Sequence, residues 1–117
     1  MTKPKKKYQS KEKQIQNLIL DWLKAKGIFC WQNDSVGIYD PVKKIFRRKA
    51  KHALNGVSDI LGCWHGRFFA IEVKSAKGQV SDAQAEFMRN IELAGGIAFE
   101  ARSLEDVTQL FVHGKVS

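Results

Sequence analysis

The sequence predicts a single α/β domain in which amphipathic helices pack against a small β-sheet. A length of 117 residues leaves room for one hydrophobic core. Stretches with helical periodicity alternate with short strand-like runs, and a two-residue linker joins two of these runs. The composition, 44% hydrophobic and 27% charged residues, is typical of a globular domain. With no apolar run long enough to span a membrane and no signal-peptide core, we expect a cytoplasmic protein.

Basic charge is concentrated in two segments of the chain, which has a net charge of +8. Residues 1–13 contain six lysines against one acid, Glu12, and residues 43–51 contain six cations and no acid. Such clusters are typical of proteins that bind nucleic acid, because neutralised phosphates release condensed counterions. For residues 1–9, predicted as a flexible basic tail before a domain at 10–117, a solubilising role is an equally good interpretation.

The first predicted helix begins after Ser10, a good N-cap, and ends at Gly27. Its apolar stripe comprises Ile15, Leu18, Ile19, Trp22 and Leu23. Glu12 lies one turn before Ile15, which places its carboxylate on the inward stripe. The solvated side is expected to carry Lys13, Gln16 and Lys24. A carboxylate that faces inward requires a structural or functional reason.

Strand-like runs follow this helix. Residues 28–33 are predicted as a strand and residues 36–46 as a turn-rich stretch with room for a second short one. The clearest runs are 57–64 and 67–74, which flank His65 and Gly66, a linker that suits a tight hairpin. Cys30 and Cys63 have no metal-binding spacing and are expected to be buried, and the tryptophans are expected in the core.

The C-terminal half is predicted to contain two helices and one strand. Residues 81–84 form a capping-box motif, Ser-Asp-Ala-Gln, that opens a helix ended by Gly95 and Gly96. The apolar face of this helix comprises Phe87, Met88, Ile91 and Ala94. Residues 97–101 are predicted as a strand, and Ser103 is predicted to cap a last helix.

The predicted hairpin places two carboxylates opposite each other. If His65 and Gly66 are the central turn residues, paired positions sum to 131 and Asp59 faces Glu72. Their Cβ atoms would lie about 4.5–5.5 Å apart, which is unfavourable without a cation. Lys74 lies two residues beyond Glu72 on the same face, whereas the other face is apolar.

One interpretation of this acidic face is that it is simply solvated. Its other positions, however, are Leu61, Cys63, Phe68 and Ala70, which indicates that another element covers it. Paired carboxylates suit a hard divalent cation such as Mg²⁺, which prefers oxygen ligands. With a neighbouring lysine, they suit phosphodiester hydrolysis, in which a metal-bound water attacks phosphorus and the lysine orients that water.

These residues match a known family. Residues 56–59 (Gly-Val-Ser-Asp) and 71–74 (Ile-Glu-Val-Lys), followed by Gly78, Ser81 and Gln84, resemble the PD-(D/E)xK nuclease superfamily and, within it, the virus-type replication-repair nuclease (VRR-NUC) domain. The resemblance extends from about Glu12 to the last helix. It implies a restriction-endonuclease-like mixed sheet with the hairpin central and helices on both sides. One departure is Ser58, which stands where the superfamily name has proline.

The resemblance also implies roles for individual residues. Asp59, Glu72 and the backbone carbonyl of Val73 are expected to ligate Mg²⁺ or Mn²⁺, and Lys74 to position the nucleophilic water. Glu12 is expected to complete the site or to help bind a second ion, although an interaction with the helix dipole would also explain it. Gln84 is expected to point to the same centre, although capping alone would explain it. The cations expected to contact phosphates are Arg47, Arg48, Lys49, Lys51 and Lys77.

The function implied is a metal-dependent DNA endonuclease. Stand-alone members of the family act as homodimers on branched DNA, so four-way (Holliday) junctions are the expected substrate, with no nucleotide cofactor. A monomeric nuclease that cuts flaps, ends or duplex DNA is a related alternative. A nucleic-acid-binding module without turnover is an alternative of another class, in which Lys74 and Arg67 would neutralise Asp59 and Glu72. That alternative leaves the inward Glu12 unexplained.

Overall fold

The computed structural model of the chain describes residues 9–34, 39–43, 45–46 and 51–112. Most of the predicted tail lies outside these ranges, as do Arg47, Arg48 and Lys49. Within these ranges the elements are α1 (Lys11–Ala25), β1 (Phe29–Gln32), β2 (Tyr39–Asp40), β3 (Ile45–Phe46), β4 (Ile60–Trp64), β5 (Arg67–Val73), α2 (Asp82–Leu93), β6 (Ile97–Ala101) and α3 (Leu104–Val112). No described helix is long and apolar enough to cross a membrane.

The main sheet has the strand order β1-β4-β5-β6, so the β4–β5 hairpin is central. β1 and β5 pair antiparallel with β4, whereas β6 pairs parallel with β5 after the crossover through α2. α1 and α3 pack on one face, where Ile19, Leu23 and Val107 meet Phe69 and Ile71. α2 packs on the other face, where its Phe87 joins a cluster of small and aliphatic strand residues, Leu61, Ala70 and Ala98. The predicted mixed sheet flanked by helices is confirmed.

The hairpin has the predicted register. Trp64 faces Arg67 and Leu61 faces Ala70, so paired positions sum to 131. His65 and Gly66 both have positive φ, 51° and 78°, which tight primed hairpin turns require. β4 starts at Ile60 and not at residue 57 as predicted. The reason is Gly56, with φ of 72°, where a Cβ atom would come within 2.3 Å of the Ala83 backbone: the chain there packs against α2 and does not pair with β5.

The buried stripe of α1 differs from the predicted one. Ser10 caps the helix as expected, its Oγ accepting a hydrogen bond from the backbone N–H of Lys13 at 3.2 Å. The buried residues are Gln16, Ile19, Leu20 and Leu23, whereas Leu18 is 55% exposed. The helix is therefore rotated relative to the prediction, with Gln16 inside and Leu18 outside. Glu12 stays on the inward side because it lies one turn before Gln16.

Two further expectations about the core are wrong. Cys63 is exposed: it lies one position before the end of β4, although Leu61 on the same face is buried in the cluster that α2 joins. Trp31, on the edge strand β1, is 40% exposed, although Trp22 and Trp64 pack against the core as expected.

Candidate active site

The open end of the central hairpin brings Asp59 and Glu72 together. Asp59 Oδ2 accepts a hydrogen bond from the backbone N–H of Val73 at 2.9 Å, which ties the start of β4 to the end of β5. The neighbouring strands hold the same end, since Asn33 N–H donates to the Asp59 carbonyl at 2.8 Å and Lys74 N–H to the Ala101 carbonyl at 2.9 Å. Four consecutive strands of the sheet thus fix the two carboxylates in place.

The Glu72 carboxyl is buried in a costly electrostatic environment. It is 1% exposed, which excludes the interpretation of a solvated acidic face. Burial raises the pKa of Glu72 from 4.5 to about 8, and the charge of Asp59 and a hydrogen bond with it act in the same direction. Lys74 opposes this shift from 3.5 Å, its Nζ atom lying beside Glu72 Oε1. Glu72 Oε2 is buried and has no donor among the described residues.

All five predicted catalytic residues line a single cleft of about 300 Å³: Glu12, Asp59, Glu72, Lys74 and Gln84. Val73 lines it as well. The first turn of α1 contributes Glu12, the first turn of α2 contributes Gln84, and the hairpin contributes the others. The fold thus brings together side chains that are far apart in the sequence, while their individual roles stay predictions.

Gln84 takes part in helix capping and also lines the cleft. Its side-chain Oε1 accepts a hydrogen bond from Ser81 N–H at 2.9 Å, and its own N–H donates to Ser81 Oγ at 3.2 Å. This reciprocal pair is the predicted capping box. The box holds the amide of Gln84 at the rim of the cleft, so capping and a functional contact are compatible.

Gly78 leaves space for two of these side chains. A Cβ atom at this position would lie 3.1 Å from Glu12 Oε1 and 3.4 Å from Lys74 Cδ. The contact with the Glu12 oxygen would be tighter than an ordinary van der Waals contact. The absence of a side chain at Gly78 therefore lets Glu12 and Lys74 both lie close to the loop that follows β5.

Gln16 is a residue of the cleft that the sequence analysis placed on the wrong side of α1. It is 8% exposed and lines the cleft together with Glu12 and the half-buried Lys13. Its spacing carried the signal, because Gln16 lies four residues after Glu12 and four before Leu20, on one face of the helix. An amide buried between a carboxylate and the core is suited to hold a carboxylate or a bound water.

The donor set of the cleft suits a hard divalent cation. Asp59 and Glu72 supply paired carboxylate oxygens, and the buried Oε2 atom lacks a partner that a cation can provide. No group of three His, Cys, Asp or Glu side chains close enough to hold a metal ion is found in the described ranges. Asp59 and Glu72, with the backbone carbonyl of Val73, are the residues that would hold such a cation, and Glu12 lines the same cleft.

Of the five cations expected to contact phosphates, only Lys51 and Lys77 lie in the described ranges, and both are exposed. Lys77 lies three residues beyond Lys74, beside the cleft. Lys51 lies in the turn that leads to Gly56.

A mixed sheet with helices on both faces, and with carboxylates and a lysine at the open end of its central hairpin, is the architecture of restriction-endonuclease-like nucleases. The VRR-NUC family model matches residues 10–105. The chain therefore belongs to the VRR-NUC family and is a nuclease-type domain.

Solved structures extend the likeness in fold. The structure of a protein described as a VRR-NUC domain protein is similar with a TM-score of 0.61 and 16% sequence identity, over 86% of this chain and 84% of the other. At this identity the likeness concerns the fold. No curated protein matches the chain significantly.

Proposed function

We propose that this protein is a Mg²⁺- or Mn²⁺-dependent endonuclease that hydrolyses DNA phosphodiester bonds in the cleft at the open end of the β4–β5 hairpin. One observation carries the proposal: Glu72 is buried next to Asp59 with one oxygen unpartnered. Burying Glu72 beside Asp59 opposes folding, and the Lys74 ammonium, 3.5 Å from Glu72 Oε1, offsets this only in part, because the pKa of Glu72 still rises to about 8. A purely structural role therefore leaves the pair short of a compensating interaction. A divalent cation bound between them provides that compensation.

Different residues of the cleft are proposed to bind the cation, orient the attacking water and hold further water. Asp59, held by the Val73 N–H, and Glu72 present oxygens at a fixed separation, and a bound divalent cation supplies Lewis acidity and an acidified water. The Lys74 ammonium lies at the cleft surface, where it orients the attacking water and stabilises negative charge that develops on the phosphate oxygens. Glu12 and Gln84 hold water at the rim, Glu12 as an acceptor.

We further propose branched DNA as the substrate, with four-way junctions cut by a homodimer. Family membership supports this choice, as does the net charge of +8. A junction resolved symmetrically requires two cuts, and each protomer offers one cleft. A DNA substrate also agrees with the cytoplasmic location expected from the sequence.

The test is cleavage of a labelled four-way junction, with linear duplex and flap controls, by wild type and Lys74→Ala in Mg²⁺ or Mn²⁺ and in chelator. Lys24→Ala, at the far end of α1, is the matched control for loss of a lysine. We expect paired symmetric cuts from wild type and Lys24→Ala and a loss of roughly 10²–10⁴-fold in Lys74→Ala. Metal-dependent cutting of flaps or duplex alone would keep the nuclease and reject the junction substrate.

A binding module without turnover is the candidate from a different class. It requires both carboxylates to be neutralised by Lys74 and Arg67, yet Arg67 pairs with Trp64 at the opposite end of the hairpin. Binding without cutting on every substrate and with every metal would favour this module over the enzyme.

A further inference from the structure

A second cleft lies directly beside the candidate active site. It has a volume of about 400 Å³ and is lined by Lys11, Ile15, Ser75, Ala76, Lys77 and Arg102. The same two segments of the chain, the start of α1 and the stretch after β5, contribute to both clefts: Lys11 precedes Glu12, and Ser75 follows Lys74. The second cleft is therefore adjacent to the place where a scissile phosphate would bind.

Charge in the second cleft is positive and only partly compensated. Arg102 is paired with the Glu100 carboxylate through Nη2. Lys11 and Lys77 are exposed, and no carboxylate of the described residues forms an ion pair with either. Between these cations, Ile15 and Ala76 supply apolar surface. Two free ammonium groups beside apolar surface suit a sugar-phosphate unit, whose phosphate seeks cations and whose sugar ring is less polar.

Hydrogen bonds fix the loop that forms one wall of this cleft. Arg102 Nη1 donates to the carbonyls of Ser75 and Ala76, at 2.5 and 3.3 Å. Gly78 N–H donates to the Ser75 carbonyl at 3.1 Å, which closes the turn. The backbone that carries Lys77 is therefore set before any ligand arrives, and ordering it adds little to the cost of binding.

We propose that this second cleft is a phosphate subsite, in which Lys11 and Lys77 bind a DNA backbone phosphate adjacent to the one that is cut. Arg102 acts as a positioning residue that holds the 75–77 loop. The proposal rests on the proposed function for the identity of the polyanion. It adds Arg102, to which the sequence pattern gave no role, and it assigns a particular contact to Lys77 and to Lys11, one of the lysines of the N-terminal basic cluster.

The test is DNA binding in EDTA, measured by fluorescence anisotropy over a range of salt concentrations, so that turnover plays no part. We expect the double variant Lys11→Ala/Lys77→Ala to bind about tenfold more weakly and its salt slope to fall by about two, one for each lost phosphate contact. Lys24→Ala/Lys26→Ala loses the same charge at the far end of α1 and should bind like wild type. Lys11→Arg/Lys77→Arg should also retain binding, because it keeps both charges.

Two sources of phosphate are separated by repeating the titrations with 5′-phosphate and 5′-hydroxyl ends. Equal loss on both DNAs identifies an internal backbone phosphate, and loss only on phosphorylated ends identifies a terminal one. An affinity and salt slope equal to those of Lys24→Ala/Lys26→Ala would overturn the subsite. Because binding is read without cleavage, a protein that never cuts DNA but shows the Lys11/Lys77 effect would sink the nuclease proposal and leave the subsite standing.

Discussion

The two ends of the central hairpin obey one pairing register but treat charge in opposite ways. At the turn end, Arg67 faces Trp64 and its charge is exposed to solvent. At the open end, the same register leads to Glu72, which is 1% exposed and lies next to Asp59. Because it is solvated, the Arg67 charge contributes little to the free energy of unfolding, whereas the buried Glu72 charge lowers it. The contrast supports the proposal that the open end of the hairpin is the site of chemistry.

The largest expected effect is on catalysis at the open end. Glu72→Gln keeps the size of the side chain but removes its charge, so cleavage should fall roughly a hundredfold or more. Arg67→Gln makes a similar change at the turn end and should leave the rate within about twofold, because surface charges contribute little. Single-turnover cleavage of the best DNA substrate measures both. Equal rate losses in the two variants would contradict the proposal that only the open end of the hairpin takes part in catalysis.

The next effect concerns stability as a function of pH. Because the pKa of Glu72 is raised from 4.5 to about 8 on folding, the folded state holds a proton that the unfolded state releases in this interval. The metal-free protein should therefore lose stability as pH rises from about 5 to 8, by the order of a few kcal/mol. Chemical denaturation in EDTA at several pH values measures this loss.

Glu72→Gln provides the control for the pH effect. Since glutamine cannot titrate, the variant should lack most of the fall and should be more stable than wild type at pH 8. Mg²⁺ or Mn²⁺ should restore stability to wild type at pH 8 and not to the variant, because the cation binds the charged pair. If the free energy of unfolding of the wild type stays constant or rises between about pH 5 and 8, the pKa of Glu72 is not raised by folding.

The hairpin register was predictable from the sequence because a two-residue turn fixes the pairing of every residue that follows. The placement of Glu72 and Lys74 on one face follows from this local rule, whereas Asp59, which precedes β4, is also held by the Val73 and Asn33 N–H groups. The start of β4 was not predictable, since it depends on the contact of Gly56 with Ala83 in a distant helix.

The inward face of α1 was predicted only in part. Hydrophobic periodicity assigns the apolar Leu18 to the core and the polar Gln16 to solvent, yet the structure has them reversed. The pattern fails at this point because the helix borders a polar cleft, where burial and polarity coincide. The exposure of Cys63 was not predictable from strand alternation, which places it on the same face as the buried Leu61.

Gly78 offers a smaller perturbation of the open end. Gly78→Ala places a methyl group 3.1 Å from Glu12 Oε1, so we expect cleavage to fall about tenfold while stability is kept or slightly raised. Gly95→Ala is the matched change away from the site, where φ of 94° makes alanine strained. It should lower the free energy of unfolding by about 1 kcal/mol and leave the rate unchanged. If Gly78→Ala cleaves DNA as fast as Gly95→Ala, the steric role of Gly78 is refuted.

Gln16 gives the finest test of the open end, because it lines the cleft without belonging to the carboxylate pair. Gln16→Leu matches its neighbours Leu20 and Leu23, so the free energy of unfolding should hold or rise. The cleavage rate should still fall by up to about tenfold, because no amide is left to hold Glu12 or a water. Titration of the rate against Mg²⁺ distinguishes a change in metal affinity from a change in the maximal rate. Gln14→Leu, on the exposed side of the same helix, should change neither. If Gln16→Leu cleaves DNA like wild type at every Mg²⁺ concentration, the buried amide serves packing alone, and the functional part of α1 ends at its first turn.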